Sequence, residues 1–352
     1  MPTYIIQGKS ELAQNIRYEV DLGFAPLGAG GMGQVFRGER VDLKTGLRRD
    51  VAVKFLYQDL PLSAVSRSRR EASIQIQNEN LIEMMGFVEM EETDKQGNIL
   101  TRNFVVSELL QGVMLYDLMQ GKTTDVAGNP VGYAEELYAL LSKDRIEFAK
   151  LIVTKILSGV MALHDKGFIH RDIDPSNIMV TKDGCVKLID FGIAKEVEAS
   201  LGNSQNLTKF GSFIGKPSYA APELISGDVA AHNYTTDIYQ VGILLYELSV
   251  GARPFTGADH EIMAKQLNDP LPTENVPHLG LAKVIKKATN KSQSERYRSA
   301  TQFRADLENC DALVKQVEAT PKQTTNKKQD SKLWVGVYAA TMIIGILLGL
   351  II

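Results

Sequence analysis

Cysteine is scarce in this chain. Only Cys185 and Cys310 occur among the 352 residues, and their spacing matches neither a disulfide framework nor a zinc site. The scarcity fits a protein of a reducing compartment. We interpret both cysteines as small buried apolar residues.

An excess of positive charge is also lacking. The chain has 39 Lys and Arg residues against 42 Asp and Glu residues, which gives a formal net charge of −3. Because binding to nucleic acid depends on a basic field, this balance predicts no nucleic-acid partner. Residues 1–10 lack the basic start and apolar core of a secretory signal.

The length and composition are those of a globular protein. The chain has 352 residues, of which 44% are hydrophobic and 23% are charged. This length accommodates one large two-lobed domain or two domains of ordinary size.

Charge is absent altogether from residues 333–352. A helix of this length spans about 30 Å, the thickness of a bilayer core. We therefore expect a single-pass transmembrane helix over 333–352 with no external sensor domain after it, in preference to a buried terminal helix. The preceding polar segment, 316–332, is interpreted as a juxtamembrane linker. Its lysines predict that this flank, and the domain before it, are cytoplasmic.

The pattern of the remaining chain changes near residue 110. Before that point, β-branched alternation and turn residues predict strands over 18–57 and a hairpin over 81–109, with a helix over 61–77 between them. After it, apolar residues recur at spacings of three and four, which predicts helices. The expected fold class is α+β, with a β-rich lobe over about 18–110 and a helical lobe over about 111–315.

Glycines punctuate the first strands as Gly28-x-Gly30-x-x-Gly33, followed by Val35. Such a pattern alone also marks dinucleotide-binding folds, where it opens a helix. Here a returning strand follows, which favours a loop whose backbone N–H groups cover phosphates. Val51-Ala52-Val53-Lys54 then ends an apolar strand in a lysine, the residue type that pairs with phosphates.

The most informative stretch is the run from His170 to Asn177, followed by Asp190-Phe191-Gly192. It places Asp172, Asn177 and Asp190 within twenty residues. Phosphoryl transfer needs an aspartate that can accept a hydroxyl proton, and an asparagine and a second aspartate that can bind Mg²⁺. Together with the glycine loop and Lys54, this stretch resembles the eukaryotic-type (Hanks-type) Ser/Thr protein kinases, most of all the membrane-bound bacterial members. The resemblance covers residues 18–315.

The resemblance implies the roles of individual residues. Asp172 would accept the proton of the acceptor hydroxyl, and Lys54 would pair the phosphates. Asn177 and Asp190 would bind Mg²⁺. ATP would contact a larger set along the cleft: Leu27, Gly28, Ala29, Gly30, Gly31, Gly33, Val35, Ala52, Lys54, Glu71, Glu108, Leu110 and Met179. Within this set, Glu71 would pair with Lys54, and the main chain of Glu108 and Leu110 would face adenine.

Two features depart from the family. The interval after Glu71 is short, so either its helix is trimmed or Glu71 is an ordinary surface charge. Asp174 stands where these kinases carry Lys, and Lys216 stands where they carry Thr. In the family those two side chains approach each other, and the Lys steadies the transferred phosphate. We therefore hypothesise that an Asp174–Lys216 pair replaces the usual contact.

The family pattern also implies contacts around the docking end of the activation segment. Glu223 would pair with Arg296, and Asp237 would brace the catalytic loop. Thr208 and Ser212 are the expected autophosphorylation sites, although most hydroxyls in such segments are merely solvated.

Three functions fit these residues: a membrane-anchored Ser/Thr protein kinase acting on protein substrates, a membrane-anchored pseudokinase or nucleotide-binding scaffold, and a small-molecule phosphotransferase. Asp174, Lys216 and the short helix around Glu71 favour the scaffold. The residues that argue against it are Lys54, Asp172, Asn177 and Asp190. The Ala221-Pro222-Glu223 segment argues against a metabolite acceptor. Gly345-x-x-x-Gly349 in the anchor is compatible with a homodimer.

Overall fold

The structure is a computed structural model that describes residues 3–93, 96–190 and 216–312. The predicted linker and transmembrane helix, and the sites Thr208 and Ser212, lie outside these residues. Among the helices that are described, none is long and apolar enough to cross a bilayer.

An antiparallel sheet forms the N-terminal lobe. Its strands lie in the order β1-β2-β4-β5-β7-β6, with β3 beside β4. Their bounds are β1 (Thr3–Ile6), β2 (Ile16–Asp21), β3 (Gly28–Gly30), β4 (Gly33–Asp42), β5 (Arg48–Leu56), β6 (Met84–Thr93) and β7 (Ile99–Glu108). Two helices accompany the sheet, α1 (Lys9–Gln14) and α2 (Leu62–Ala72).

The two faces of this sheet have different roles because side chains alternate along a strand. Val51 and Val53 of β5 are fully buried in an apolar cluster with Phe104. Ala52 and Lys54 point to the other face and are only partly buried. The alternation therefore assigns one face to the core and the other to the candidate site.

The N-terminal segment extends this sheet beyond the expected start at residue 18. β1 pairs with β2, and the Ile6 side chain of β1 is fully buried in the apolar cluster. The Tyr4 ring lies 5.6 Å from that of Phe55. The first residues are thus part of the core of the lobe.

Replacing Ile6 by Ala is expected to lower the free energy of unfolding by about 2–5 kcal/mol, since it leaves a cavity in the cluster. The neighbouring Ile5 is 47% exposed and provides a matched control, for which Ile5→Ala should cost less than about 1 kcal/mol. Urea unfolding followed by fluorescence measures both values. Equal costs would show that β1 does not belong to the core.

Helices dominate the C-terminal lobe, as predicted. They are α3 (Leu115–Met119), α4 (Gly132–Lys143), α5 (Arg145–Asp165), α6 (Pro222–Ile225), α7 (Tyr234–Val250), α8 (Asp259–Asn268), α9 (Leu279–Ala288) and α10 (Ala300–Glu308). A small antiparallel sheet, absent from the sequence-based picture, comprises β8 (Gly112–Met114), β9 (Ile178–Thr181) and β10 (Val186–Leu188).

The helices α5 and α7 form the buried centre of this lobe. Asn233 caps the N-terminus of α7 and forms a capping box with Thr236. Gly251 caps the C-terminus in the left-handed conformation. The side chains of α7 are buried almost all round, which is typical of a helix at the centre of a domain. Its first turn is thereby fixed beneath the loop that carries Asp172.

A short segment before β6 connects the two lobes. The backbone of Asn80 accepts from Leu188 of β10, and the Asn80 side chain donates to the Val186 carbonyl. Gly159 of α5 faces Asn80 so closely that a Cβ there would lie 2.5 Å from the Asn80 carbonyl oxygen. These contacts hold β10, and therefore Asp190 just beyond it, against the N-terminal lobe.

Candidate active site

The loop from Asp172 to Asn177 is closed on itself by hydrogen bonds. The Asn177 amide nitrogen donates to the Asp172 carbonyl at 2.8 Å and to the Asp172 carboxylate at 3.0 Å. A 3₁₀ turn over Pro175–Asn177 lies between them. Since the amide nitrogen is engaged by Asp172, the amide oxygen of Asn177 is left to bind another partner.

Buried groups beneath the loop fix its backbone. The Asp237 carboxylate accepts from the backbone N–H groups of His170 and Arg171 at 2.9 and 2.8 Å. The His164 ring donates to the same carboxylate at 2.8 Å. Burial acts to raise the pKa of Asp237, but the hydrogen bonds from the His164 ring and the Arg171 backbone outweigh it and hold this pKa below its usual range. Asp237 is therefore an anion that braces the loop, as predicted.

Gln240, one turn further along α7, adds two contacts that sequence reasoning missed. Its side chain accepts from the Ile173 amide and donates to the Arg171 carbonyl. The sequence could have indicated these contacts, because Gln240 lies three residues after Asp237 and residues three apart on a helix share a face.

His170 packs inside the loop. It is fully buried, and burial lowers the pKa of its ring against the opposing charges of Asp237 and Asp172. The ring is therefore neutral at physiological pH, which fits the packing role expected for it.

Arg171 and Asp190 have positive φ angles of 66° and 57°. This conformation costs energy in residues other than glycine, and residues that adopt it cluster at functional sites.

Lys54 and Asp190 meet across the cleft, with 3.9 Å between the ammonium and the carboxylate. Glu71 is buried on α2, and its pairing with Lys54 stays a prediction. α2 ends at Ala72, directly after Glu71, as the short interval suggested. The role of Glu71 toward ATP stays a prediction.

Several of the predicted nucleotide contacts lie on neighbouring strands of the two sheets. Val35 pairs with Lys54, Ala52 pairs with Ser107, and the Leu27 amide donates to the Val35 carbonyl at 2.7 Å. Met179 lies across from Met114 in the small sheet.

The glycines of the predicted phosphate loop differ in the space around them. Gly33 packs against the Phe55 carbonyl, whereas a Cβ on Gly28, Gly30 or Gly31 would meet nothing within 4 Å.

Glu108 is the last residue of β7, and Leu110 follows in the connection between the lobes. The Glu108 carboxylate is held by Lys187 at 2.6 Å and by the Glu83 amide at 2.8 Å, contacts that the sequence did not predict. In the parts of the chain that the structure describes, no hydrogen bond uses the Leu110 amide or carbonyl. That main chain is thus available to the edge of a ligand, which fits an adenine base.

The donor set also fits a hard divalent cation. The Asp190 carboxylate is 65% exposed, and the Asn177 amide oxygen is left over from the bonds to Asp172. Carboxylate and amide oxygens are ligands that such cations prefer.

The docking segment is joined to the lobe through Glu223 and Arg296. The guanidinium donates to both carboxylate oxygens at 2.8 and 3.0 Å, and both side chains are buried. Burial acts to raise the pKa of Glu223, but the Arg296 contacts prevail and lower it. The predicted ion pair is present with bidentate geometry.

Removing Arg296 is expected to be costly, because it leaves Glu223 buried without its cation. Arg296→Met should lower the free energy of unfolding by about 3–5 kcal/mol. Arg304→Met is the matched control: Arg304 pairs with Glu308 on an exposed face, and its loss should cost less than about 1 kcal/mol. Denaturant titration compares the two, and similar losses would contradict a structural role for the buried pair.

Comparison with known proteins agrees with this geometry. The protein kinase domain model matches residues 24–316. The probable serine/threonine-protein kinase PknB of Bifidobacterium longum is 30% identical over 318 residues, covering 87% of this chain and 40% of that protein. Serine/threonine-protein kinase PknB of Mycobacterium tuberculosis is 34% identical over 290 residues, covering 80% and 41%. The chain thus spans about two fifths of the length of these curated relatives.

A solved structure supports the fold alone. The kinase domain of Mycobacterium tuberculosis PknI matches with a TM-score of 0.53 at 21% identity, covering 83% of this chain and 95% of that one. The family match extends over most of the chain and includes the loop and the docking segment described above. The chain therefore belongs to the protein kinase family, as a Hanks-type member similar to bacterial Ser/Thr kinases.

Proposed function

We propose that this chain is a Ser/Thr protein kinase that transfers the γ-phosphate of ATP to protein hydroxyl groups with Mg²⁺ as cofactor. The observation that carries the proposal is the closed loop in which Asn177 fixes the Asp172 carboxylate, with Asp190 and Lys54 in contact across the cleft.

The residues divide the chemistry between them. Asp172 orients the acceptor hydroxyl and takes its proton as the oxygen attacks phosphorus and the bond to the bridging oxygen of ADP breaks. Lys54 pairs the phosphates, and the open glycines Gly28, Gly30 and Gly31 let the backbone approach them. Mg²⁺ held by Asn177 and Asp190 would neutralise charge on the phosphates.

Acceptor specificity is tested with one peptide in three versions. The wild-type chain is incubated with ATP, Mg²⁺ and peptides that differ only in a central Ser, Thr or Tyr, and the initial rates of phosphorylation are compared. We expect transfer to Ser and Thr at rates at least tenfold above Tyr. Transfer to a metabolite pool but to none of the peptides would support a small-molecule phosphotransferase instead.

Membrane attachment is part of the same proposal. It is supported by the uncharged run over 333–352 and the lysines in the linker before it. The chain should fractionate with membranes, resist extraction by high salt and be released by detergent, with its kinase domain on the cytoplasmic side. Release by high salt alone would contradict a transmembrane anchor. Autophosphorylation at Thr208 and Ser212, and pairing through Gly345 and Gly349, are proposed on sequence grounds.

A further inference from the structure

The side chain of Lys216 lies on the catalytic loop. Its ammonium is 2.7 Å from the Asp174 carboxylate and also contacts the Ser176 hydroxyl. We propose that Lys216 supplies, from the docking segment, the positive charge that contacts the phosphoryl group during its transfer. This inference rests on the proposed kinase function and assigns a further catalytic residue to the same site.

The position of the ammonium follows from the shape of the loop. Asp172 and Asn177 are hydrogen-bonded to each other, so the residues between them form one closed turn. Both contacts of Lys216, Asp174 and Ser176, belong to that turn, and Ser176 directly precedes Asn177. The ammonium is therefore held on the turn that joins Asp172 to Asn177.

Asp174 has a structural reason to be an aspartate. It caps the 3₁₀ turn over Pro175–Asn177 by accepting from the Ser176 amide at 2.7 Å, which a lysine side chain cannot do. Asp174 is 2% exposed, and within the described part of the chain its second carboxylate oxygen has no hydrogen-bond partner. An anion in this position requires a cation, and Lys216 provides it.

Lys216 can donate a further hydrogen bond while it neutralises Asp174. An ammonium carries three N–H donors, and Asp174 and Ser176 take two of them. The Lys216 side chain is 51% exposed, whereas that of Asp174 is 3% exposed. Among the described residues the third donor has no partner, so it can contact a ligand. Lys54 contacts Asp190 on the nucleotide side of the site. Lys216 is thus suited to the acceptor side.

The chemical step makes the role specific. The acceptor oxygen forms a bond to phosphorus, the bond to the bridging oxygen of ADP breaks, and the hydroxyl proton moves to the Asp172 carboxylate. No bond forms to Lys216. Its N–H donor contacts the oxygens of the transferred group, on which charge is spread in the transition state, and such a donor is worth roughly 100-fold in rate.

The experiment separates this role from simple pairing with Asp174. Four full-length proteins are compared: wild type, Lys216→Met, the double variant Asp174→Asn/Lys216→Met, and the relocated cation Asp174→Lys/Lys216→Thr. For each, kcat for a Ser peptide, the Kd of ATP and the melting temperature are measured. Asn retains the cap at 174 without charge, so the first double variant removes the buried anion together with its cation.

We expect Lys216→Met to lower kcat roughly 100-fold with the Kd of ATP changed less than about threefold. The double variant Asp174→Asn/Lys216→Met should regain the melting temperature of the wild type but not its kcat, and the relocated cation should regain most of kcat. If the first double variant regains wild-type kcat, Lys216 only neutralises Asp174 and the inference is overturned. A wild-type chain without transfer activity would instead remove the proposed function, and this inference with it.

Discussion

Asp172→Asn is expected to lower kcat for phosphoryl transfer by roughly 10²–10⁴, since asparagine cannot take the proton of the acceptor hydroxyl. The substitution keeps the shape of the side chain, and its amide oxygen still accepts from Asn177 as the carboxylate does now. The loop should therefore remain closed. The Kd of ATP and the melting temperature are expected to stay within experimental error of the wild type.

The control for this variant is Asp183→Asn. Asp183 is an exposed aspartate in the turn between β9 and β10, so its loss removes the same charge away from the loop. Single-turnover kinetics with a Ser peptide distinguish the two. An Asp172→Asn protein with a kcat within threefold of the wild type would show that Asp172 is not the base.

Asp190→Asn is expected to reduce kcat/KM by roughly 10²–10³ and to raise the Mg²⁺ concentration at half-maximal rate. Loss of a charged oxygen ligand weakens metal binding, and a metal ion contributes several kcal/mol to such transition states, at about 1.4 kcal/mol per tenfold in rate. The substitution also removes the anion that lies 3.9 Å from the Lys54 ammonium.

The measurement is an initial-rate titration with Mg²⁺ at saturating ATP, repeated with Mn²⁺. Mn²⁺ should recover part of the lost rate, because it binds nitrogen- and oxygen-donor sites more tightly than harder cations do. Asp183→Asn again serves as the control for lost charge. An unchanged Mg²⁺ dependence in Asp190→Asn would contradict metal binding at this residue.

The catalytic loop could be located from the sequence because a short motif encodes it. Asp172, Asn177 and Asp190 lie in one segment, and the roles proposed for them come from the resemblance of that segment to a family pattern. The Asp174–Lys216 pair was also predictable, because these two departures from the family pattern carry opposite charges. In the structure the ammonium of Lys216 lies 2.7 Å from the carboxylate of Asp174. Long-range pairs such as Glu223–Arg296 were found for the same reason, through a pattern and not through spacing alone.

Other features depend on contacts that no local pattern announces. β1 is four residues long, too short for its alternation to be distinguished from an irregular terminus, and its burial comes from β2 and the apolar cluster. Residues 120–135 are rich in turn residues, a composition that predicts a surface insertion, yet α4 begins at Gly132 within them. The Lys187–Glu108 contact joins side chains distant in sequence with ordinary surface residue types.

Transfer of the terminal phosphate tests the central claim most directly. The full chain and its Asp172→Asn variant are incubated with Mg²⁺ and ATP labelled at the γ-position, with ATP binding measured in parallel, and the modified residues are located by mass spectrometry. The account predicts label on Ser and Thr side chains with the wild type and its loss in the variant. Intact ATP binding without label in either protein would contradict a kinase and identify a nucleotide-binding scaffold.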